Sequence, residues 1–449
     1  MTNKIKTIFT CNECGGSQPK WTGKCPECGA WNTMVEEKIL KKTSKSVGTA
    51  KRELQALHQP VSRSIERFTT GVDEFDRVLG GGFVNGMVVL LAGEPGIGKS
   101  TLILQVLANL KGGRFLYFSG EESEEQISLR ANRMGISDSR ILVACENNLE
   151  NIQYHVETQK PAVVVIDSVQ TVYSDAYDNV PGSVTQVREC AGTILRKAKE
   201  QNFIAIFIGH ITKDGMIAGP KVLEHIVDTV LYLEGGKTNF YRTLRSMKNR
   251  FGSTNEVGLF TMKDIGLVPV ENPSEFFLAE RKKHVAGSAI AVSMEGTRPF
   301  LIEVQALVTQ SSYGNPQRTA NGIDHRRLAM LVAVLEKRSG LPMRLQDIFV
   351  NLVGGLRIDE TAINLGVLVA LASSFKDIPL EPSSAFIGEV GLVGEIRSVP
   401  FIEQRVKEAL KFGFKPAYIP RANLKQLKGL KADQVIGVDS INQLFDKIF

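Results

Sequence analysis

Four cysteines near the start of the chain carry the first recognisable chemistry. Cys11, Cys14, Cys25 and Cys28 form C-x2-C-x10-C-x2-C within CNECGGSQPKWTGKCPECGAW. Two knuckles, each closed by a glycine (Gly15, Gly29), offer four thiolates to one tetrahedral Zn²⁺. So small a segment buries too little apolar surface to hold itself, and the metal supplies its folding energy. A second cluster is GEPGIGKST, which fits G-x-x-x-x-G-K-[ST] in full. In this pattern Gly93, Glu94, Pro95, Gly96, Ile97, Gly98, Lys99, Ser100 and Thr101 curl around the phosphates of ATP. Lys99 reaches the β- and γ-phosphates, Ser100 coordinates Mg²⁺, and the following helix N-terminus favours the anion. VVVIDS adds the partner carboxylate, Asp167, at the carboxyl end of a buried strand, where it holds the Mg²⁺ shell. Hydrolysis also needs a group that orients water. Glu121 is the first choice and Glu122 the second, both at the end of FLYFSG. The same pair also reads as a helix start, because Ser123 and Gln126 have capping-box spacing. Finally, KNRFG (Lys248 to Gly252) holds two cations two residues apart. On a strand they point to one side. A cation against a γ-phosphate stabilises transition-state charge and can come from a neighbouring subunit. The other reading is a basic edge-strand pair that discourages sheet-edge pairing.

These residues need elements to position them. Strand-length apolar runs recur at VVLLAG (88–93), FLYFSG (115–120), ILVAC (141–145), AVVVID (162–167), FIAIFIG (203–209) and TVLYLEG (229–235), and helical spacing separates most of them. Apolar strands alternating with helices predict an α/β domain with a mainly parallel sheet covered on both faces. The organisation expected is a zinc finger over 1–35, a polar lysine-rich linker over 36–60, the nucleotide-binding domain over 61–272 and a second α/β domain over 273–449. In the last, HRRLAMLVAVLEKRSG and PFIEQRVKEALKFGF read as amphipathic helices.

A chain of 449 residues is too long for one ordinary core. It has no apolar run long enough to span a bilayer and no secretory signal pattern, so a cytoplasmic location is expected, with no membrane partner. Cys145 and Cys190 lie apart from the other four cysteines, which excludes a disulfide framework. Residues 1–60 hold ten Lys/Arg against five Asp/Glu, +5 of the chain's formal +6. An acidic partner, nucleic acid by default, and a solvated linker both fit this excess. Trp21, Trp31, Lys20 and Lys24 allow the ribbon to touch DNA, and a structural or protein-docking ribbon fits equally.

TTGVDEFDRVLGGGFVNGMVVLLAG carries T-G-x-x-x-x-D-x-x-L-G-G-G ahead of the P-loop strand. With FSGEESEEQI, it resembles the RecA/DnaB division of ATPases, motors that assemble as rings or filaments on DNA. The resemblance implies Glu121 as catalytic base and Gln170 and His210 as γ-phosphate sensors, although His210 also reads as a satisfied strand-end histidine. It implies DNA-facing loops at 173–189 and 212–225, with Arg188, Lys213 and Lys221 as cations, and a finger role in trans for Lys248 and Arg250. Taken with the cysteine ribbon, KNRFG and GHITKDGMIAGPKVLEHIVDTVLYLEG, the whole chain resembles the bacterial RadA (Sms) DNA-repair family. That resemblance implies a ring-forming ATPase, taken as a hexamer, that acts on single-stranded and branched DNA with the RecA recombinase and promotes branch migration. It also implies that residues 273–449 resemble the proteolytic domain of Lon proteases with the dyad lost: Ala362 stands at the nucleophile's place and Glu403 at the lysine's. Arg326, Arg327 and Arg357 are then candidates for duplex contact. The rival readings are an ATP-dependent protease or unfoldase and a nucleotide-switched DNA clamp.

Overall fold

The computed structural model describes residues 5–11, 16–40, 66–177, 179–210, 221–235, 241–311, 316–355, 357–427, 429–430 and 433–449. Cys14, Lys213 and most of the 212–225 loop lie outside them. Two compact units divide between Pro269 and Val270, a few residues before the boundary expected from sequence.

The ribbon is a small antiparallel sheet in the order Ser17–Gln18, Ile5–Cys11, Met34–Leu40. Residues 36–40, expected in the linker, extend its third strand, with Ile5 opposite Leu40 and Cys11 opposite Met34. Cross-strand backbone pairing places them there, and a lysine-rich composition does not reveal it. Cys11, Cys25 and Met34, with Phe9 against them, are the ribbon's whole buried cluster among the described residues.

The nucleotide-binding unit is built on nine strands among the described residues. Their order is Gly266–Pro269, Val257–Lys263, Tyr241–Asn249, Thr229–Glu234, Val88–Gly93, Ile204–His210, Val163–Asp167, Phe115–Ser119, Ile141–Ala144. Pairing is parallel from Thr229–Glu234 to Ile141–Ala144 and antiparallel across the other three. Every residue of Val88–Gly93 is buried. Alternate side chains enter separate cores, Val89 and Leu91 on one face and Val88 and Leu90 on the other. That is the two-sided cover the continuous apolar runs predict. At the carboxyl end of this central strand the P-loop turns into the helix Lys99–Asn109.

The second unit has its own seven-stranded mixed sheet: Arg318–Asn321, Gln346–Leu352, Arg298–Gln310, Ser288–Glu295, Ala385–Phe386, Ala417–Pro420, Val435–Val438. The helix His325–Ser339 starts at Asp324, whose carboxylate accepts from the backbone N–H groups of Arg326 and Arg327, and ends at Gly340 in the left-handed region. Among the described residues, no helix is long and apolar enough to cross a membrane.

Candidate active site and metal centre

The P-loop encloses one wall of a cavity of about 400 Å³, lined among others by Gly98, Lys99, Ser100, Glu121, Asp167 and His210. Gly98 sits at φ 113°, a conformation that side chains other than glycine rarely adopt, and it opens the helix Lys99–Asn109. No described side chain caps that helix, and its first turn holds no acid. Its leading N–H groups are left to an anion. Ser100 Oγ donates to Asp167 Oδ2 at 2.6 Å, so the two expected Mg²⁺ ligands are already adjacent. Burial raises the Asp167 carboxyl, with the Ser100 and Tyr117 hydrogen bonds opposing it. Tyr117 was not visible as a site residue in the sequence. Its hydroxyl donates to the same Asp167 oxygen from a fully buried position. The available signal was a tyrosine in a strand apolar throughout, since a buried phenol needs a partner.

Lys99 is buried, and its ammonium donates to the carbonyls of Gly93 (2.9 Å) and Glu94 (3.0 Å) and to His210 Nδ1 (3.0 Å). Burial lowers its pKa to about 8 against the pull of Asp167 and Glu121. An ammonium has no lone pair, so His210 Nδ1 must accept and its Nε2–H faces Glu121 Oε2, 3.2 Å away. Glu121 also accepts from the Ser168 hydroxyl. Glu122 lines the same cavity but is ion-paired to Arg130, and Ser123 with Gln126 forms the capping box of the helix Glu124–Arg133. The helix start read from the sequence is present, and both acids line the cavity, Glu121 against His210 and Ser168 and Glu122 against Arg130. Gln170 is buried and bonds the backbone N–H and C=O of His210, each at 2.9 Å, so it fixes the strand end that carries the histidine.

KNRFG lies at the opposite end of the strands, at the close of Tyr241–Asn249, which is an interior strand of the sheet rather than an edge. Lys248 pairs with Val230, and Val230 with Leu90; the Asp228 backbone N–H donates to the Val88 carbonyl and its carboxylate accepts from the Val88 N–H, where the P-loop strand begins. The Lys248 ammonium donates to the carbonyls of Glu224 (2.7 Å), His225 (3.2 Å) and Val227 (2.8 Å). The strand stops at Asn249, and its register shifts opposite Val230 and Leu231, so Arg250 lies beyond it. Simple alternation along a strand, the expectation from sequence, is thus replaced by a bulge and a turn. Arg250 still converges on the same region, 3.4 Å from Asp228 Oδ1. The rest of the motif anchors it. Asn249 Nδ2 donates to Leu79 O at 3.0 Å, and Arg67 donates to Phe251 O. A Cβ on Gly252 would meet Gly80 Cα at 3.1 Å and Leu79 O at 3.2 Å. The glycine-rich segment ahead of the P-loop and KNRFG are therefore two halves of one close backbone contact.

In the ribbon, the sulfurs of Cys11, Cys25 and Cys28 lie within 4.8 Å of one another, those of Cys11 and Cys28 3.7 Å apart. A tetrahedral site with Zn–S of about 2.3 Å has sulfur–sulfur edges of about 3.8 Å. The three thiols fit one zinc ion, and the fourth expected ligand, Cys14, falls outside the described residues. Lys20, Trp21 and Trp31 are exposed, with Lys24 Nζ 5.7 Å from the Trp31 ring. Arg188 faces Glu189 at 3.4 Å.

In the second unit Ala362 is buried, and Glu403 is exposed and paired with Lys407 at 2.6 Å. Arg327 is occupied by the carbonyls of Ile358, Asp359 and Glu360. Arg326 and Arg357 are exposed, the latter facing Asp359 at 3.6 Å.

Fold and site together define a RecA-like P-loop ATPase with an N-terminal zinc ribbon. Residues 9–36 match the family described as "Rubredoxin metal binding domain" and residues 68–142 the family described as "KaiC". The chain is 51% identical over 446 residues to "DNA repair protein RadA" of Bacillus subtilis (strain 168), covering 98% of this chain and 97% of that protein. It is 49% identical to the Listeria monocytogenes protein of the same name (99% and 98% covered) and 47% identical to that of Streptococcus pyogenes serotype M1 (99% and 99%). The chain belongs to the RadA family of DNA repair proteins.

Proposed function

We propose that the protein is a DNA-dependent ATPase motor of homologous recombination and repair. It works as a homo-oligomeric ring, taken as a hexamer, and promotes branch migration on single-stranded and branched DNA together with RecA. One observation carries this reading: Lys99, His210, Glu121 and Asp167 share one cavity, while the cations of KNRFG stand at the far end of the strands of the same sheet, out of reach of their own phosphates. Hydrolysis then needs a neighbour, and assembly becomes part of the active site.

ATP entering the cavity displaces the three partners of the Lys99 ammonium, which moves onto the β- and γ-phosphates. His210 loses its lysine contact and turns toward the γ-phosphate, keeping Glu121 in line. Glu121 orients the attacking water and takes its proton. Ser100 and Asp167 would hold Mg²⁺, which would supply charge neutralisation to the phosphates. Lys248 and Arg250 of the adjacent copy meet the γ-phosphate as charge develops on it. The 173–189 and 212–225 loops face DNA, and cations there make binding fall with salt. The second unit serves assembly. Ala362 has no atom with which to attack a peptide, and Glu403, committed to Lys407, cannot act as an amine base, which weighs against the protease reading.

The test is ATP turnover with and without single-stranded DNA, alongside mass measurement of the assembly. Lys99→Ala and Lys248→Ala should each lose turnover by about a hundredfold or more. Their mixture should regain part of it, because a mixed interface pairs an intact P-loop with an intact finger. No rescue at any ratio, or full turnover by a solitary protomer indifferent to DNA, would overturn the proposal.

A further inference from the structure

Lys199, in the last turn of the helix Val184–Gln201, belongs to no motif, yet it joins the KNRFG cations. Asp228 is almost wholly buried, with a 4% exposed side chain, and two cations divide its carboxylate. Lys199 Nζ takes Oδ2 and Arg250 Nη1 takes Oδ1. Oδ2 also accepts from the backbone N–H of Val88 at 3.1 Å, and the backbone N–H of Arg250 donates to the Asp228 carbonyl at 3.1 Å. Lys199 Nζ lies 5.7 Å above the Phe251 ring. The side chains of Lys199 and Arg250 remain 42% and 57% exposed, so the cluster is open on its outer side.

We propose that Lys199 is a positioning residue of the in-trans finger: by sharing Asp228 and bracing Phe251, it leaves Arg250 only half-neutralised and directed outward, toward a phosphate of the adjoining copy. This rests on the finger reading above. The chemistry is that of a divided counter-ion. A buried carboxylate facing one guanidinium alone closes on it through both oxygens, the strong bidentate arrangement. Such a pair would hold Arg250 back and cancel its charge. With Lys199 and the Val88 N–H both on Oδ2, the acid keeps a single long contact to Arg250. Lys248, lodged nearby on three carbonyls, adds a further cation. Burial and then Arg250 hold its pKa below the ordinary lysine value. Asp228 also ties the cluster to Val88, the first residue of the P-loop strand, so finger and P-loop share one rigid rod.

The experiment uses the full-length protein carrying Lys199→Met or Lys199→Arg, with Lys248→Ala as reference. Lys199→Met should lower DNA-stimulated kcat by about tenfold with KM for ATP changed less than about twofold. A fluorescent ADP should bind it as it binds wild type, since its own P-loop is intact. Mixed with Lys99→Ala, which keeps a sound finger, it should regain turnover, and Lys199→Arg should retain most of it. Wild-type kcat in Lys199→Met, or a loss that Lys99→Ala does not rescue while Lys248→Ala is rescued, overturns the role of Lys199 alone. Failure of both mixtures overturns the finger reading and this inference with it.

Discussion

Lys99 and Lys248 stand at opposite ends of one sheet. Lys99 rests on the carbonyl of Gly93, where the P-loop strand finishes; Lys248 rests on the carbonyls of Glu224, His225 and Val227, just before Asp228, which is bound to the residue where that strand begins. Val88–Gly93 spans about 17 Å at about 3.3 Å per residue, more than a lysine side chain can bridge. Turnover per protomer should therefore rise steeply with protein concentration and then level off once oligomers are complete. ATPase rate measured across a dilution series, with mass measured at each point, checks this. A rate per protomer constant down to the monomer would contradict it.

Glu121 and Glu122 are neighbours with separate employment. Glu121 lies against Ser168 and His210 in the cavity, and Glu122 is ion-paired to Arg130. Glu121→Gln should reduce turnover by about 10²–10⁴ with nucleotide binding retained, the signature of a lost base. Glu122→Gln should cost less than about tenfold, through a loosened Arg130. Single-turnover hydrolysis beside nucleotide binding separates the two, and a larger loss from Glu122→Gln would reverse the assignment.

Local patterns made much of this architecture readable. The P-loop strand was recognisable because a fully buried strand must be apolar throughout, and its end was marked by glycines that the phosphate turn needs. Asp167 was legible because a lone acid after four apolar residues has few other places to go. Contacts between distant segments carry no such mark. Tyr117 meets Asp167 across 50 positions, and Lys199 meets Asp228 only after a helix and a strand have folded back. Asp228 itself looks like an ordinary turn residue in HIVDTV until the sheet sets it beside Val88. Residues 36–40 were misplaced for the same reason, since their partner strand lies near the other end of the ribbon.

The cysteines should react in three classes. Cys145 is exposed, the ribbon thiols are ligands once zinc is bound, and Cys190 is buried. Burial first, then Glu150 and Glu189, push the Cys190 thiol up to about 12. Alkylation needs the thiolate, so at pH 8 only about one Cys190 in ten thousand is competent, and the fraction grows as pH rises toward 12. Iodoacetamide followed by mass spectrometry should label Cys145 in the native protein and add Cys11, Cys25 and Cys28 after chelation. Cys190 should react only on unfolding. Ribbon labelling at full rate in the metal-loaded protein would refute the zinc site.

Arg405 is a fully buried arginine in the second unit, and its removal should be costly. Its guanidinium pairs with Glu360 and donates to the carbonyls of Val292 (2.9 Å) and Pro400 (3.0 Å). Glu360 in turn accepts from Ser293 Oγ (3.0 Å) and the backbone N–H of Met294 (2.8 Å). This joins the strand Ser288–Glu295, the helix Ile402–Lys411 and the turn that carries Ala362. Arg405→Met leaves Glu360, whose side chain is 23% exposed, as a part-buried uncompensated charge, at the low end of the about 3–5 kcal/mol of a wholly buried pair or below it, whereas replacing both with apolar groups of similar size is often near neutral. Arg405→Met should thus speed amide exchange across Ile402–Lys411 by about a hundredfold or more, and adding Glu360→Leu should recover much of the loss. Because the chain has two compact units, site-resolved exchange is the proper measure rather than one melting temperature. Equal exchange in wild type and Arg405→Met would mean that the pair does not hold these elements together.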